Sequence, residues 1–223
     1  MEKTNKSPFD RFFAFMTKPM VIIPYFALII LLMLYWDKPL SSYLFHADMR
    51  AHLPFLSYLT RFGLGVVYFS VFPVLIFFFR YVKKHPDWEA KIWFLLLSLS
   101  ISTAICVVIK IVLGRARPNM FLQGDGQFYG FYGFQLDSHF WSFPSGHTTT
   151  MMSVVLGLGI LLPRYFTPLL LLGIAVALSR VLLTHHYLSD VLFTSYLTLI
   201  EIGCLLYVLR SKSWLTPVWR HTV

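Results

Sequence analysis

The sequence is short of charged residues, and it has no run of basic residues and no internal repeat. Only 13% of its 223 residues are charged, 57% are hydrophobic, and the mean hydropathy is +0.66. Ordinary soluble domains are about a quarter charged and about half apolar. One small globule is not expected to bury so much apolar surface, so most of that surface should contact lipid.

The sequence is also short of cysteine and of clustered carboxylates. Cys106 and Cys204 are its two cysteines, and both lie in apolar stretches, so no disulfide framework or thiolate metal site is predicted. The ten Asp and Glu residues are dispersed, whereas magnesium and calcium prefer several oxygen ligands close together. The net charge of +9 is scattered and does not indicate nucleic-acid binding. We therefore expect no metal, no cofactor, no nucleic acid and no obligate protein partner.

Six apolar runs approach the length of about 20 residues that is needed to cross a membrane. They cover residues 19–36, 64–82, 92–113, 148–163, 166–184 and 190–209. Because the bilayer core offers no water to backbone groups, these runs should be helices. The predicted fold is an all-α integral membrane domain over residues 1–223, with six transmembrane helices. Residues 37–63 are predicted to form an interfacial helix between the first two.

The distribution of Lys and Arg predicts the topology. The side that includes both termini carries 12 of these residues, and the other side carries 7. Four of those seven lie in the polar segments described below, and without them the ratio is 12 to 3. Both termini are therefore predicted to be cytoplasmic. The first apolar run is long and lacks a small-residue cleavage site, which favours an uncleaved transmembrane helix over a signal peptide.

Three polar segments, residues 110–118, 144–147 and 179–190, interrupt the apolar sequence near the ends of runs. In the first, Lys110 and Arg117 are seven residues apart, so a continuing helix would place them on one face until Pro118 ends it. An ammonium and a guanidinium that converge are suited to binding phosphate. The alternative for Lys110 alone is snorkelling to the membrane interface.

The second polar segment contains Ser145, Gly146 and His147 at the start of an apolar run. Glycine allows a ligand to approach the backbone closely, and the free N–H groups of a helix N-terminus favour an anion. Ser145 adds a hydroxyl donor and His147 a titratable group. An ordinary helix start that happens to contain a histidine is the alternative.

The third polar segment contains Arg180, His186 and Asp190. A spacing of four residues would let Asp190 accept a hydrogen bond from one nitrogen of His186, one helical turn away. The other imidazole nitrogen would then be free to act as a nucleophile. His185 has no acidic residue four positions later, so His186 is preferred. Arg180 could join the phosphate clamp, and a purely structural His–Asp pair is the alternative.

The patterns K-x6-R-P, P-S-G-H and S-R-x5-H-x3-D, in this order, resemble the signature of the type 2 phosphatidic acid phosphatase superfamily over residues 92–209. The resemblance implies that His186 attacks phosphorus to form a phosphohistidine, that Asp190 orients it, and that His147 protonates the leaving oxygen. Arg115 lies outside the fixed pattern and is expected to be an accessory phosphate contact. The implied phosphate-binding residues are Lys110, Arg117, Ser145, Gly146 and Arg180.

The predicted function is a metal-independent lipid phosphatase in a bacterial inner membrane, with its active site on the extracytoplasmic face. Its substrate would be a phosphate monoester or pyrophosphate of a lipid: phosphatidic acid, phosphatidylglycerophosphate, undecaprenyl pyrophosphate or lipid A. Phosphotransfer to a lipid or sugar acceptor is an alternative that the motifs do not separate from hydrolysis. A lipid or anion transporter is disfavoured because the apolar runs carry few charges and no repeat is visible.

Overall fold

The computed structural model describes residues 6–123 and 127–215. Within these ranges the chain is helical and contains no β-strand, which confirms the predicted all-α class. Isolated bridges link Arg115 to Phe131 and Trp141. Lys3 and Arg220, which enter the count of basic residues, lie outside the described ranges.

The longer helices are labelled α1 to α7. They are α1 (Pro8–Met16), α2 (Pro19–His46), α3 (Gly65–Val82), α4 (Pro86–Leu113), α5 (Gly146–Leu161), α6 (Pro163–Leu182) and α7 (Leu188–Ser211). Short helical segments lie between them at Met49–His52, Phe55–Leu59, Thr60–Gly63, Pro118–Gln123 and Ser138–Phe140. Five of the described helices, namely α2, α3, α4, α6 and α7, are long and apolar enough to cross a membrane. A sixth crossing by α5 and the side of the termini remain predictions.

Helix α2 continues well beyond the predicted end of the first apolar run at residue 36. A π-helical turn at Leu32–Trp36 leads directly into a further helical stretch, Asp37–His46. The stretch that was predicted to be interfacial therefore begins as part of α2. Its remaining helices, between Met49 and Gly63, have only four or five residues each.

Helix α5 is the central helix of the bundle. It begins at Gly146, two residues before the fourth apolar run. Of its 16 residues, 12 are buried. It packs against α4, α6 and α7. A Cβ atom at Gly157 would be 2.7 Å from Leu95 Cδ2, and one at Gly173 would be 2.7 Å from Val155 Cγ2. Glycine thus allows α4 and α6 to approach α5 closely.

The residues that face away from α5 are apolar and exposed. Val66 in α3 and Leu171 in α6, for example, are more than half exposed. In contrast, Leu156 and Val176 are completely buried in the interior. An apolar exterior around an equally apolar interior is the arrangement expected of a bundle that is surrounded by lipid.

Helix α4 ends at Leu113, where the predicted apolar run ends, and does not continue to Pro118. Gly114 has a φ of +51°, in the left-handed region, and its N–H donates to the carbonyl oxygen of Lys110. A side chain at this position would overlap the carbonyl oxygen of Gly133. Glycine therefore ends the helix at Leu113. The prediction that Lys110 and Arg117 share one face of a continuous helix is wrong.

The close packing at Gly173 gives a testable expectation. Gly173→Ala should lower the free energy of unfolding by about 1–3 kcal/mol, because the new methyl group must displace Val155. Leu171→Ala, at an exposed position of the same helix, is the control and should have a smaller effect. The measurement is thermal unfolding in one detergent. Equal effects of the two substitutions would contradict the packing described here.

Candidate active site

The three polar segments meet at one end of the bundle. Helices α4 and α6 end there, and α5 and α7 begin there. The first and third segments are joined directly, since Arg115 Nη1 donates to Ser189 Oγ at 2.7 Å. The second segment is joined through neighbouring residues: Lys110 Nζ donates to the carbonyl oxygen of Trp141 at 2.7 Å, and Ser145 N donates to Thr194 Oγ1 at 2.8 Å. Residues far apart in the sequence therefore form one cluster.

One ring nitrogen of His186 makes a hydrogen bond, and the other has no hydrogen-bond partner within the described ranges. The residue is 2% exposed, and its Nδ1 lies 2.6 Å from the carbonyl oxygen of Ser142. Because a carbonyl oxygen can only accept, Nδ1 must carry the proton in this contact. Nε2 then has a free lone pair, and no residue within the described ranges hydrogen-bonds to it. This tautomer is the one required of a nucleophilic imidazole.

The predicted direct hydrogen bond between His186 and Asp190 is not present. Helix α7 starts only at Leu188, so His186 precedes the helix and the two residues are not one helical turn apart. Asp190 Oδ2 accepts from Tyr187 N at 3.0 Å and from Ser142 Oγ at 2.6 Å, and it lies 3.8 Å from His186 Nδ1. Asp190 thus holds Ser142, and the carbonyl group of Ser142 orients the imidazole.

Arg115 has a different position from the one predicted. It is 1% exposed and lies between two carboxylates, Asp190 and Asp37 of α2. Its Nη2 is 2.8 Å from Asp37 Oδ2, and its Nη1 contacts Asp190 Oδ1 and donates to Ser189 Oγ at 2.7 Å. The expectation of an accessory phosphate contact is wrong, because this guanidinium is enclosed by protein ligands.

The surroundings of Arg115 keep it charged. Burial alone would lower its pKa, but the carboxylates of Asp190 and Asp37 raise it above its usual value. The ring of Tyr187 lies 4.4 Å from the guanidinium carbon, and Ser189 Oγ also donates to Asp37. These contacts form an arginine–aspartate network that supports His186. Its members are Arg115, Asp37, Asp190, Ser189 and Ser142.

Three further cations surround the imidazole and have only neutral hydrogen-bond partners. In addition to the contact of Lys110, Arg117 Nε donates to the carbonyl oxygen of Ser138 at 3.0 Å, and Arg180 Nη1 donates to Thr60 Oγ1 at 2.9 Å. No ion pair joins any of them to a carboxylate within the described ranges. Burial, followed by the positive charges of Lys110, Arg180 and Arg117, lowers the pKa of His186 well below its usual value. The imidazole is therefore neutral at pH 7.

The second polar segment lies beside these cations. A Cβ atom at Gly146 would have only Lys110 Cε near it, at 3.9 Å, so the backbone is accessible next to the ammonium group. Ser145 is completely buried, and its Oγ accepts from Thr148 Oγ1 at 3.0 Å. His147 is partly buried and packs against Gly63. The roles of Ser145, Gly146 and His147 toward phosphate remain predictions.

Within residues 6–123 and 127–215, no group of three His, Cys, Asp or Glu side chains is placed to hold a metal ion. Metal independence stays a prediction.

Two residues of this site were missed by the sequence reasoning. Asp37 follows the first apolar run directly, and its single carboxylate at the end of an apolar stretch was the available signal. Ser142 acts through its side-chain hydroxyl and through its backbone carbonyl group. Because every residue has a backbone carbonyl, the sequence could indicate only the role of the hydroxyl. The arrangement as a whole is a neutral imidazole next to positive charges that have no carboxylate partner in the described part of the chain, and such a site is suited to a phosphate.

The buried ion pair of Asp37 gives a testable expectation. Asp37→Asn should lower the free energy of unfolding by about 3 kcal/mol, because it removes one of two carboxylates from a buried guanidinium. Asp10→Asn is the matched control, since the Asp10–Arg210 pair is partly exposed, and its effect should stay below about 1 kcal/mol. Thermal unfolding of both variants measures the difference. A smaller loss for Asp37→Asn than for Asp10→Asn would contradict the assignment.

The buried histidines predict a loss of stability in acid. Burial and the charges of Arg180, Arg50 and Arg117 lower the pKa of His185 to about 3, whereas an imidazole in the unfolded chain titrates near 6.5. Below that pH the unfolded chain binds a proton that the folded protein does not bind, so stability falls as the pH decreases. Between pH 7 and 5 the His185 imidazole should remove about 2 kcal/mol.

The measurement for this prediction is thermal unfolding at pH 7 and pH 5. His185→Gln should show a smaller decrease in melting temperature between the two values than the unmodified protein. His85→Gln, at an exposed position, should show the full decrease. An unchanged pH dependence in His185→Gln would contradict the prediction.

Known proteins resemble this chain in sequence. A family model described as the PAP2 superfamily matches residues 91–214. The Lipid A 1-phosphatase of Rhizobium johnstonii is 30% identical over 177 residues, which cover 74% of this chain and 69% of the relative. The Lipid A 1-phosphatase of Rhizobium etli is 30% identical over 130 residues, which cover 54% of this chain and 55% of that relative. No solved structure gives a significant match. Since the family model matches more than half of its residues, the chain belongs to the PAP2 superfamily.

Proposed function

We propose that this integral membrane lipid phosphatase cleaves a phosphate monoester or pyrophosphate of a lipid through a phosphohistidine on His186. The observation that carries the proposal is the state of this side chain. Its Nδ1 is fixed by the carbonyl group of Ser142, its Nε2 is unbonded within the described ranges, and three cations without carboxylate partners surround it. A neutral nitrogen nucleophile and a binding site for a phosphate thus occupy the same place.

In the first step, Nε2 of His186 attacks phosphorus while the bond from phosphorus to the leaving oxygen breaks. His147, which takes up a proton from solvent when the phosphate anion binds among the cations, donates that proton to the leaving oxygen. Lys110, Arg117 and Arg180 bind the nonbridging oxygens, with Ser145 and Gly146, and stabilise the charge on the transferring group. The developing positive charge on the imidazole is balanced through Ser142 by the carboxylate of Asp190.

In the second step, water attacks the phosphohistidine. His147, now neutral, accepts a proton from the water as the bond from Nε2 to phosphorus breaks and inorganic phosphate leaves. His186 returns to the neutral form with its proton on Nδ1. No metal ion takes part in this scheme. If a lipid or sugar hydroxyl replaced water in this step, the same site would carry out phosphotransfer.

The substrate is the second part of the proposal. Both relatives are named Lipid A 1-phosphatases, which supports a lipid A phosphate as the first candidate among the lipids considered. Phosphatidic acid, phosphatidylglycerophosphate and undecaprenyl pyrophosphate offer the same phosphoryl chemistry. The excess of basic residues on the side of the termini supports an active site on the extracytoplasmic face, and in a bacterium this is the periplasmic face of the inner membrane.

The test is phosphate release from these four lipids in detergent or vesicles. We expect release from at least one lipid by the unmodified protein and a loss of about a thousandfold or more in His186→Ala. His46→Gln is the matched control, since His46 is an exposed histidine at the same end of the bundle. Rapid quenching with labelled substrate should trap an acid-labile label on the protein that is absent in His186→Ala.

Full retained phosphate release in folded His186→Ala would overturn the proposed nucleophile. If soluble phosphoesters reacted while all four lipids failed, the lipid substrate would be wrong. Product analysis with and without an added acceptor lipid separates hydrolysis from phosphotransfer.

A further inference from the structure

A cavity lies beside the candidate active site. It has a volume of about 340 Å³ and is lined by the end of α2, the segments that follow α2 and α4, and the turn between α6 and α7. Arg117 lines this cavity and also acts electrostatically on His186. It is the one predicted phosphate-binding residue in the described lining. The cavity is therefore next to the position of the reacting phosphate.

Arg50 and His185 form a hydrogen-bonded pair in the lining of this cavity. Arg50 Nη2 lies 3.2 Å from His185 Nε2. Because burial and neighbouring arginines lower the pKa of His185 to about 3, this ring is neutral and accepts the hydrogen bond. Arg50 is exposed and has five N–H groups, of which the described residues use only this one. Its charge is thus positioned by a neutral partner and remains available.

Positive charge in this region exceeds negative charge. Arg50, Arg117 and Arg180 all act on His185, so the three guanidinium groups lie around one imidazole. Asp48 is the carboxylate of the described lining, and its Oδ1 accepts from Ala51 N at 3.4 Å. No ion pair joins Asp48 to Arg50 within the described ranges. Gathered cations repel one another, and a bound anion relieves this repulsion.

The remainder of the lining mixes apolar and neutral polar side chains. The apolar ones include Leu44, Met49, Leu122 and Leu182, and the neutral polar ones are Asn119, Gln123 and Thr184. A concave site in which apolar walls accompany convergent polar groups is typical of a ligand site. A group that binds here should therefore carry negative charge and accept hydrogen bonds.

We propose that this cavity binds a second anionic group of the lipid substrate while the group to be cleaved lies at His186. This inference rests on the proposed function and narrows it. The substrate class becomes lipids whose headgroup carries two separated anionic groups, such as phosphates, a phosphodiester or a carboxylate. Arg50 lies outside the residues 91–214 that the family model matches, so it would set a preference beyond the shared chemistry of the family.

The experiment uses the full chain in detergent and inhibitors that cannot be hydrolysed. An alkyl monophosphonate is compared with bisphosphonates in which two phosphonate groups are joined by alkyl spacers of increasing length. Binding is measured by calorimetry. In the unmodified protein, at least one spacer should bind about tenfold more tightly than the monophosphonate, because a second charged contact is made without a second loss of translational freedom. Arg50→Gln should remove this gain.

Arg61→Gln is the matched control. Arg61 is an exposed arginine at the same end of the bundle and lies outside the cavity lining, so this variant should keep the tenfold gain. Absence of any gain in the unmodified protein would overturn the inference, and so would a gain that survives in Arg50→Gln. If Arg61→Gln lost the gain to the same extent, the gain would come from general surface charge. The inference would then also be overturned.

The failure of the proposed function is distinguishable from these outcomes, because binding is measured without turnover. Phosphate release with no gain from a second phosphonate would leave the function in place and remove the subsite. A gain that depends on Arg50, together with no release from any lipid, would support a site for two anions and overturn the phosphatase proposal.

Discussion

The arrangement of the site depends on one buried guanidinium, that of Arg115. A charge this well enclosed is tolerated only when opposite charge and hydrogen-bond partners surround it. Asp37 and Asp190 supply the charge, and Ser189 supplies a further acceptor. Since Asp190 also holds Ser142, which bonds His186, the compensation of Arg115 and the orientation of the His186 imidazole depend on one network.

This network separates two kinds of positive charge. The charge of Arg115 is balanced by carboxylates of the protein. In contrast, Lys110, Arg117 and Arg180 bond only to neutral oxygens within the described ranges. The carboxylate of Asp190 could have balanced the charge of these three residues, but it is already bound to Arg115. These charges support the proposal that the site binds an anion, and they lower the pKa of His186. Electrostatic preorganisation of this kind is the main contribution a protein can make to phosphoryl transfer.

The sequence predicted the helical class and the family, and five of the six predicted spans are helices long enough to cross a membrane, because apolar runs and fixed motif spacing are local properties. It failed where backbone geometry decided the outcome. The left-handed residue Gly114 ended α4 before Arg117, and the start of α7 at Leu188 left His186 outside the helix. The prediction for Arg115 also failed. Arg115 and Arg117 are the same residue type in the same polar segment, and the sequence alone does not show that their environments differ. Only tertiary contacts distinguish a structural arginine from a ligand-binding one.

The contact of Asp37 with Ser189 joins residues that are 152 positions apart in the chain. Helix α2 emerges from the ribosome early and α7 late, so Arg115 has an incomplete set of ligands during most of synthesis. The carboxylate of Asp190 can take its final position only after α7 has been inserted and has docked against α2. Membrane insertion of the last long helix therefore coincides with completion of the site, and a partly synthesised chain is not expected to hydrolyse the lipids around it.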